Sequence, residues 1–176
     1  GDHILAIGTY RPLLRCFTTS DMSLKFERGL DVEPVALQSL SDDYGKLVVL
    51  GVDRTLEFHA PYGRHHVLRV PRFGRCMTYR WADCDLLIGG AGDEVYRLNL
   101  ERGSFKAPLT LDFDGCNAMA LHSGHPLLAT GGGAASVAFF DMRSRSKVAA
   151  LDVTDSSTSS ARSGKQGPGS GIEVTS

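Results

Sequence analysis

The chain has 176 residues, 42% hydrophobic and 22% charged, with a formal net charge of −1. That is an ordinary globular composition with enough apolar content for a core. No apolar run approaches the roughly 18 residues of a membrane-spanning helix, and Gly1-Asp2-His3 lacks the basic start and apolar stretch of a signal peptide. Without an initiator Met, the chain is expected to begin inside a longer protein.

Along the chain the apolar segments are short and separated by turn residues. Residues 4–8 and 13–18 read as strands around the turn Thr9-Tyr10-Arg11-Pro12, where Pro12 has no N–H to give to a ladder. Residues 23–27 read as an outer strand, although residues 20–27 are also the nearest approach to a turn of helix. Residues 35–40 lead into Ser41-Asp42-Asp43-Tyr44-Gly45, a polar turn in which an Asp side chain is expected to cap its own backbone. Residues 46–50, 55–59 and 67–70 complete a second unit. The third unit comprises residues 77–81, 85–88 and 94–100, with turns at Ala82-Asp83-Cys84 and Gly89-Gly90-Ala91-Gly92-Asp93. In its last segment Val95, Arg97 and Asn99 alternate with Tyr96, Leu98 and Leu100, the period of a strand with one packed face. The fourth unit comprises residues 118–121, 127–130, 136–140 and 147–151. No segment shows a sustained helical period with caps, so the expected fold is all-β.

Within these units one pattern returns four times: Leu5-Ala6-Ile7-Gly8, Val48-Val49-Leu50-Gly51, Leu87-Ile88-Gly89-Gly90 and Leu128-Ala129-Thr130-Gly131. Leu5, Val48, Leu87 and Leu128 are spaced by 43, 39 and 41 residues. Strand content at this period indicates blades of a WD40-type β-propeller. The 20 glycines fit many tight turns. Propellers of this type usually have more blades than the four that this length holds. The expected architecture is therefore an incomplete propeller over residues 1–152, either a part of a larger propeller or an arc that closes with blades from elsewhere. Residues 153–176, rich in Ser and Gly, cannot bury enough surface to offset the entropy of ordering and are expected to be a disordered tail.

Few features suggest catalysis. Cys16, Cys76, Cys84 and Cys116 form no Cys-x-x-Cys pair and read as free thiols rather than disulfides or zinc ligands. The Gly-rich turns lead into strands, not into the helix that would receive a phosphate, so they read as blade turns. His59, His65 and His66 cluster in sequence, but His65 and His66 point to opposite faces of a strand and make a poor metal site. Gly124-His125 resembles the Gly-His pair that buttresses a WD40 blade. No nucleophile with its base appears, and no carboxylates can be shown to converge as glycosidase chemistry requires. No catalytic residue, cofactor or metal is expected, and neither is a membrane or small-molecule partner.

Charge is more informative. Residues 60–80 contain Arg64, Arg69, Arg72, Arg75 and Arg80 with no Asp or Glu, so the remainder of the chain carries −6. Tyr62, Phe73 and Tyr79 are interleaved. Such a stretch can meet phosphates and stack on bases. It can equally be a solvated blade edge balanced by acids on neighbouring blades.

Several runs are more particular than the repeat: Ser23-Leu24-Lys25-Phe26-Glu27-Arg28, Leu40-Ser41-Asp42-Asp43-Tyr44, Pro71-Arg72-Phe73-Gly74-Arg75, Glu94-Val95-Tyr96-Arg97-Leu98-Asn99-Leu100-Glu101 and Phe140-Asp141-Met142-Arg143. On these the chain resembles the nucleolar protein ten family of WD40 proteins, from Gly1 to about Asp152. Phe140 stands where a blade-ending Trp is usual, and Cys76 where an acid is expected after Phe-Gly-Arg. The resemblance implies a non-catalytic nucleolar scaffold of the small-subunit processome, active in pre-18S rRNA processing. It also implies ribosome assembly proteins and precursor rRNA as partners, with no cofactor. The alternatives are a WD40 adaptor in another pathway and a propeller hydrolase.

Overall fold

The structure is a computed structural model that describes residues 1–133 and 135–153. The expected tail lies outside the described residues from residue 154 onward. The described residues form four antiparallel sheets. The first contains β1 (His3–Gly8), β2 (Leu13–Thr18) and β3 (Leu24–Gly29). The second contains β4 (Pro34–Ser39), β5 (Leu47–Gly51), β6 (Thr55–Ala60) and β7 (Gly63–Arg69). The third contains β8 (Gly74–Arg80), β9 (Asp85–Gly90), β10 (Glu94–Asn99) and β11 (Ser104–Thr110). The fourth contains β12 (Cys116–Leu121), β13 (Leu127–Gly132), β14 (Ser136–Asp141) and β15 (Ser146–Asp152). Each four-stranded sheet runs in chain order, a to d, and β8 packs against both β4 and β12. This is the radial arrangement of propeller blades, with strand a innermost. The sequence repeat falls on strand b of every blade, and the first sheet supplies strands b, c and d.

The repeat reads as a continuous apolar run because central blades are covered on both faces. In β5, Leu47 and Val49 join Leu14 of the first blade, while Val48 and Leu50 join Leu86, Ile88 and Leu98 of the third. In β9, Leu86 and Ile88 face the second blade, and Leu87 packs with Leu128, Ala138 and Phe140 of the fourth. Strands with two buried faces have no polar side to alternate. Phe140 is thus a core residue, nearly fully buried, where the usual Trp would lie.

Glycine in the repeat has a steric cause. In all three complete blades, the end of strand b pairs with the start of strand a beside a β-bulge: Pro34 with Gly51, Gly74 with Gly90, Cys116 with Gly132. Bulging brings the two backbones together. A Cβ on Gly90 would meet the Phe73 carbonyl and lie 2.7 Å from Gly74 Cα. One on Gly89 would lie 2.7 Å from Cys116 Sγ of the next blade.

Two elements differ from expectation. Strand β11 is not among the expected strands, because Pro108 interrupts its pattern. It is the outermost strand, and its register with β10 is irregular beside Pro108, between Val95 and Arg97, which is where a residue without an N–H is tolerated. Residues 20–27 contain no helix. Asp21 accepts from the Ser23 hydroxyl at 2.9 Å, and β3 follows this turn. Among the described residues the only helical segment is the 3-10 turn Trp81–Asp83.

A buried polar cluster fixes the end of the third blade. Asp85 is fully buried at the start of β9. Its carboxylate accepts from Arg97 at 2.8 Å, Asn99 at 2.8 Å and Lys106 at 2.7 Å, which ties β9, β10 and β11 together. Burial pushes the Asp85 pKa up, but the bonds from Lys106, Asn99 and Arg97 outweigh burial and hold it below its ordinary value.

Two stability experiments follow from this packing. Gly90→Ala should cost about 1–3 kcal/mol, because backbone rather than a flexible side chain must move. Gly133→Ala should be nearly neutral, since its Cβ would have only Asn117 Nδ2 nearby, at 3.9 Å. Equal urea midpoints for the two variants would refute the steric account. Asp85→Asn leaves Arg97 and Lys106 without their counter-charge. It should cost about 3 kcal/mol at neutral pH, at the low end for a broken buried pair because Lys106 is partly exposed. A carboxylate with a lowered pKa stabilises the fold above its unfolded value of 3.8, and this stabilisation is lost as pH falls through the folded value. The deficit of Asp85→Asn, read from denaturation midpoints, should therefore shrink in that acid window. A deficit independent of pH would contradict the assignment.

Candidate functional site

Successive strands are antiparallel, so turns alternate between the two ends of each blade. The a-to-b and c-to-d turns share one end. The b-to-c turns and the connections to the next blade share the other. This divides the five arginines of residues 60–80. Arg64, at the start of β7, and Arg80, at the end of β8, belong to the first end. Arg69, Arg72 and Arg75 flank the connection between the second and third blades, at the opposite end.

Their local partners also differ. Arg64 is ion-paired with Asp31 of the preceding connection and lies 3.9 Å from Glu57. Arg75 is the extra residue of the β8 bulge, and it donates to Asn117, the bulge residue of β12, at 2.7 Å. Arg80 is paired with Asp83 and donates to the Met142 carbonyl of the next blade at 3.3 Å. Arg69 and Arg72 are exposed, and Arg72 lies against Gly92. Tyr62 and Phe73 are exposed at opposite ends, Phe73 beneath the Arg54 guanidinium. Tyr79 is partly buried and packs edge-on against Trp81, and burial pushes its phenol up to about 12. Arg64, Arg69, Arg72 and Arg75 thus stay exposed while the Arg80 side chain is largely buried, and the five face two directions.

The other candidate groups have structural duties. His59 and Glu57 are buried side by side, with Nε2 and Oε2 3.4 Å apart. Burial pushes the Glu57 pKa up, and burial with the charges of Arg28 and Arg64 pushes that of His59 down. Both shifts favour neutral groups. His65 bonds to the Tyr62 hydroxyl at 2.6 Å. Among the described residues no three His, Cys, Asp or Glu side chains converge as metal ligands. Asp43 accepts from the Ser41 hydroxyl and the Gly45 N–H, both at 2.8 Å, the expected turn cap, and these bonds lower its pKa. In the loop before β13 the capping ring is His122 rather than His125. Its Nδ1 accepts from the Gly124 and His125 N–H groups at 3.0 Å. All four cysteines are free. Cys76 and Cys116 face each other across the third and fourth blades at 3.8 Å. Their hydrogen bond lowers the pKa of Cys76 and raises that of Cys116.

A group that sequence spacing did not bring together lies at the a-to-b and c-to-d end. Arg97 of the buried cluster opens there onto a cavity of about 500 Å³ between the third and fourth blades. Arg80, Arg102, Lys106, Arg143 and Arg145 also line it, with Asp83 and Glu101. Only Arg80 belongs to the sequence-predicted set. The signal was in the chain, as arginines at successive c-to-d turns, but joining them needs the blade register.

Comparison with known proteins agrees with the fold. A chain in the crystal structure of a mitotic checkpoint complex superposes with a TM-score of 0.72 at 16% identity, over 86% of this chain and 48% of that one. Nucleolar protein 10 of Homo sapiens is 47% identical over 152 residues, which is 86% of this chain and 22% of that protein. Ribosome biogenesis protein enp2 homolog of Schizosaccharomyces pombe is 44% identical over 87% of this chain and 25% of its own length. Ribosome biogenesis protein ENP2 of Saccharomyces cerevisiae is 42% identical over 86% and 21%. The chain therefore spans about a quarter or less of the length of these relatives. The family described as Nucleolar protein 10-like, N-terminal domain, matches residues 1–176, and the chain belongs to that family, its sheets being blades of the family's β-propeller.

Proposed function

We propose that this chain is part of a non-catalytic scaffold for ribosome biogenesis in the nucleolus. Its place is the small-subunit processome, where precursor 18S rRNA is matured, and its partners are assembly proteins and precursor rRNA. The observation that carries this reading is the 42–47% identity to proteins named for the nucleolus and for ribosome biogenesis. The architecture supports it. Rigid blades present turns at two ends, while Glu57 and His59 are buried as a pair and Asp43 and His122 are used as turn caps.

Arg64, Arg69, Arg72, Arg75 and Arg80 are the contact surface in this reading. Because they divide between two ends, the chain can bridge partners rather than grip one. Replacing Arg64, Arg69, Arg72 and Arg75 together with Ser should cut co-sedimentation with precursor particles by about ten-fold, through lost charge-assisted contacts. The variant retaining Arg64 keeps the Asp31 pair and serves as the folding control. Unchanged co-sedimentation of a folded variant would remove this surface from the proposal, and failure of the parent chain to join such particles would remove the function.

A further inference from the structure

The cavity beside Arg97 has a charge imbalance that the fold does not use. Arg97 is 2% exposed, and one Asp85 carboxylate must balance both Arg97 and Lys106. Arg97 spends only Nη2 on Asp85. Its Nε and Nη1 are buried and make no hydrogen bond among the described residues. A buried guanidinium with two idle donors carries a desolvation cost that an anion can relieve. Arg102, Arg143 and Arg145, on the rim of the same cavity, enter no ion pair among the described residues and are exposed. Asp83, which could have neutralised one of them, is taken by Arg80.

A second cavity, of about 580 Å³, adjoins the first and shares Arg80 and Arg143 as walls. Its character is different. Trp81, 54% exposed, stands on one side. His122 and His125 stand on the other, their rings 4.8 Å apart and inclined by 35°. His122 Nδ1 is occupied as an acceptor by two backbone N–H groups, which places a ring proton on Nε2 as a free donor. Phosphate-binding donors and flat π surfaces thus lie next to each other on one end of two adjoining blades.

We infer that this composite cleft binds single-stranded RNA, with backbone phosphates on Arg102, Arg143 and Arg145 above the buried charge of Arg97, and a neighbouring base against Trp81 and the His122–His125 pair. A phosphorylated or acidic peptide would satisfy the first cavity and leave the aromatic one unused, so the pairing of the two favours a nucleic acid. Stacking tolerates any base, hence the site reads strandedness and charge rather than sequence. RNA rather than DNA is taken from the function proposed above. The cleft shares only Arg80 with the surface of that proposal.

The test is fluorescence anisotropy with the full chain and a labelled ten-nucleotide oligouridylate over a salt series. The parent chain should bind. Arg102→Ser/Arg143→Ser/Arg145→Ser, which changes only exposed side chains, should weaken binding at least about ten-fold and lower the slope of log K against log salt by about 2, at roughly 0.7 per lost single-strand phosphate contact. Trp81→Ala should weaken binding by about five-fold or more at every salt concentration with the slope unchanged, the signature of a lost stack. Competition by a duplex of equal length should be weak. The inference is overturned if the parent chain does not bind, if either variant binds like the parent, or if a phosphorylated acidic peptide competes as well as the oligonucleotide and Trp81→Ala has no effect. These outcomes concern purified RNA alone, so they are separable from loss of particle association, which tests the function proposed above.

Discussion

The close approach of strand b to the bulged start of strand a sets the geometry on which the blades depend. At Gly90 the two backbones leave no room for a methyl group, and at Gly89 the next blade's Cys116 occupies the space. The bulge also dictates what faces the neighbouring blade. It rotates Arg75 and Asn117 out of the ladder, and these two side chains join across the innermost strands. A steric requirement inside one sheet thereby becomes a hydrogen bond between two.

The blades are then tied along their outer edges by a simpler device. Asp31, just past β3, pairs with Arg64 on β7, and Asp112, just past β11, pairs with Lys147 on β15. At the junction of the second and third blades the corresponding residues are Pro71 and Phe105, so no such pair forms there. The third blade instead holds its outer strand from within, through Lys106 on Asp85.

What was legible in the sequence follows from these constraints. Strands buried on both faces give apolar runs, and glycines fixed by backbone contact end them, so the blade period stood out and the all-β propeller with it. Strand β11 did not, because an edge strand answers to solvent and tolerates Pro108. Strand starts at Gly74 and Cys116 were missed because bulges interrupt the alternation by which strands are recognised. The arginines show the same limit more sharply. Arg64 to Arg80 are neighbours in sequence yet turn to two ends of the blades. Arg80, Arg97, Lys106 and Arg143 are distant in sequence yet line one cavity. Chain order reports strand order well, whereas a patch depends on which turns share an end.

The electrostatics of the third blade connect stability to recognition. Replacing Asp85, Arg97 and Lys106 with apolar residues of similar size would satisfy the packing and remove the desolvation cost of three buried or part-buried charges. Retaining them leaves net positive charge beneath the c-to-d turn, held in place by the bonds to Asp85. A charge fixed in this way loses little conformational freedom when an anion arrives above it, which is the condition under which a modest number of contacts yields useful affinity. The rim arginines on exposed turns lack this preorganisation; they contact the phosphates and also attract the ligand at longer range. The division of labour is physical: the fixed charge of the interior sets where a phosphate sits, and the exposed rim holds it and sets how readily it is found.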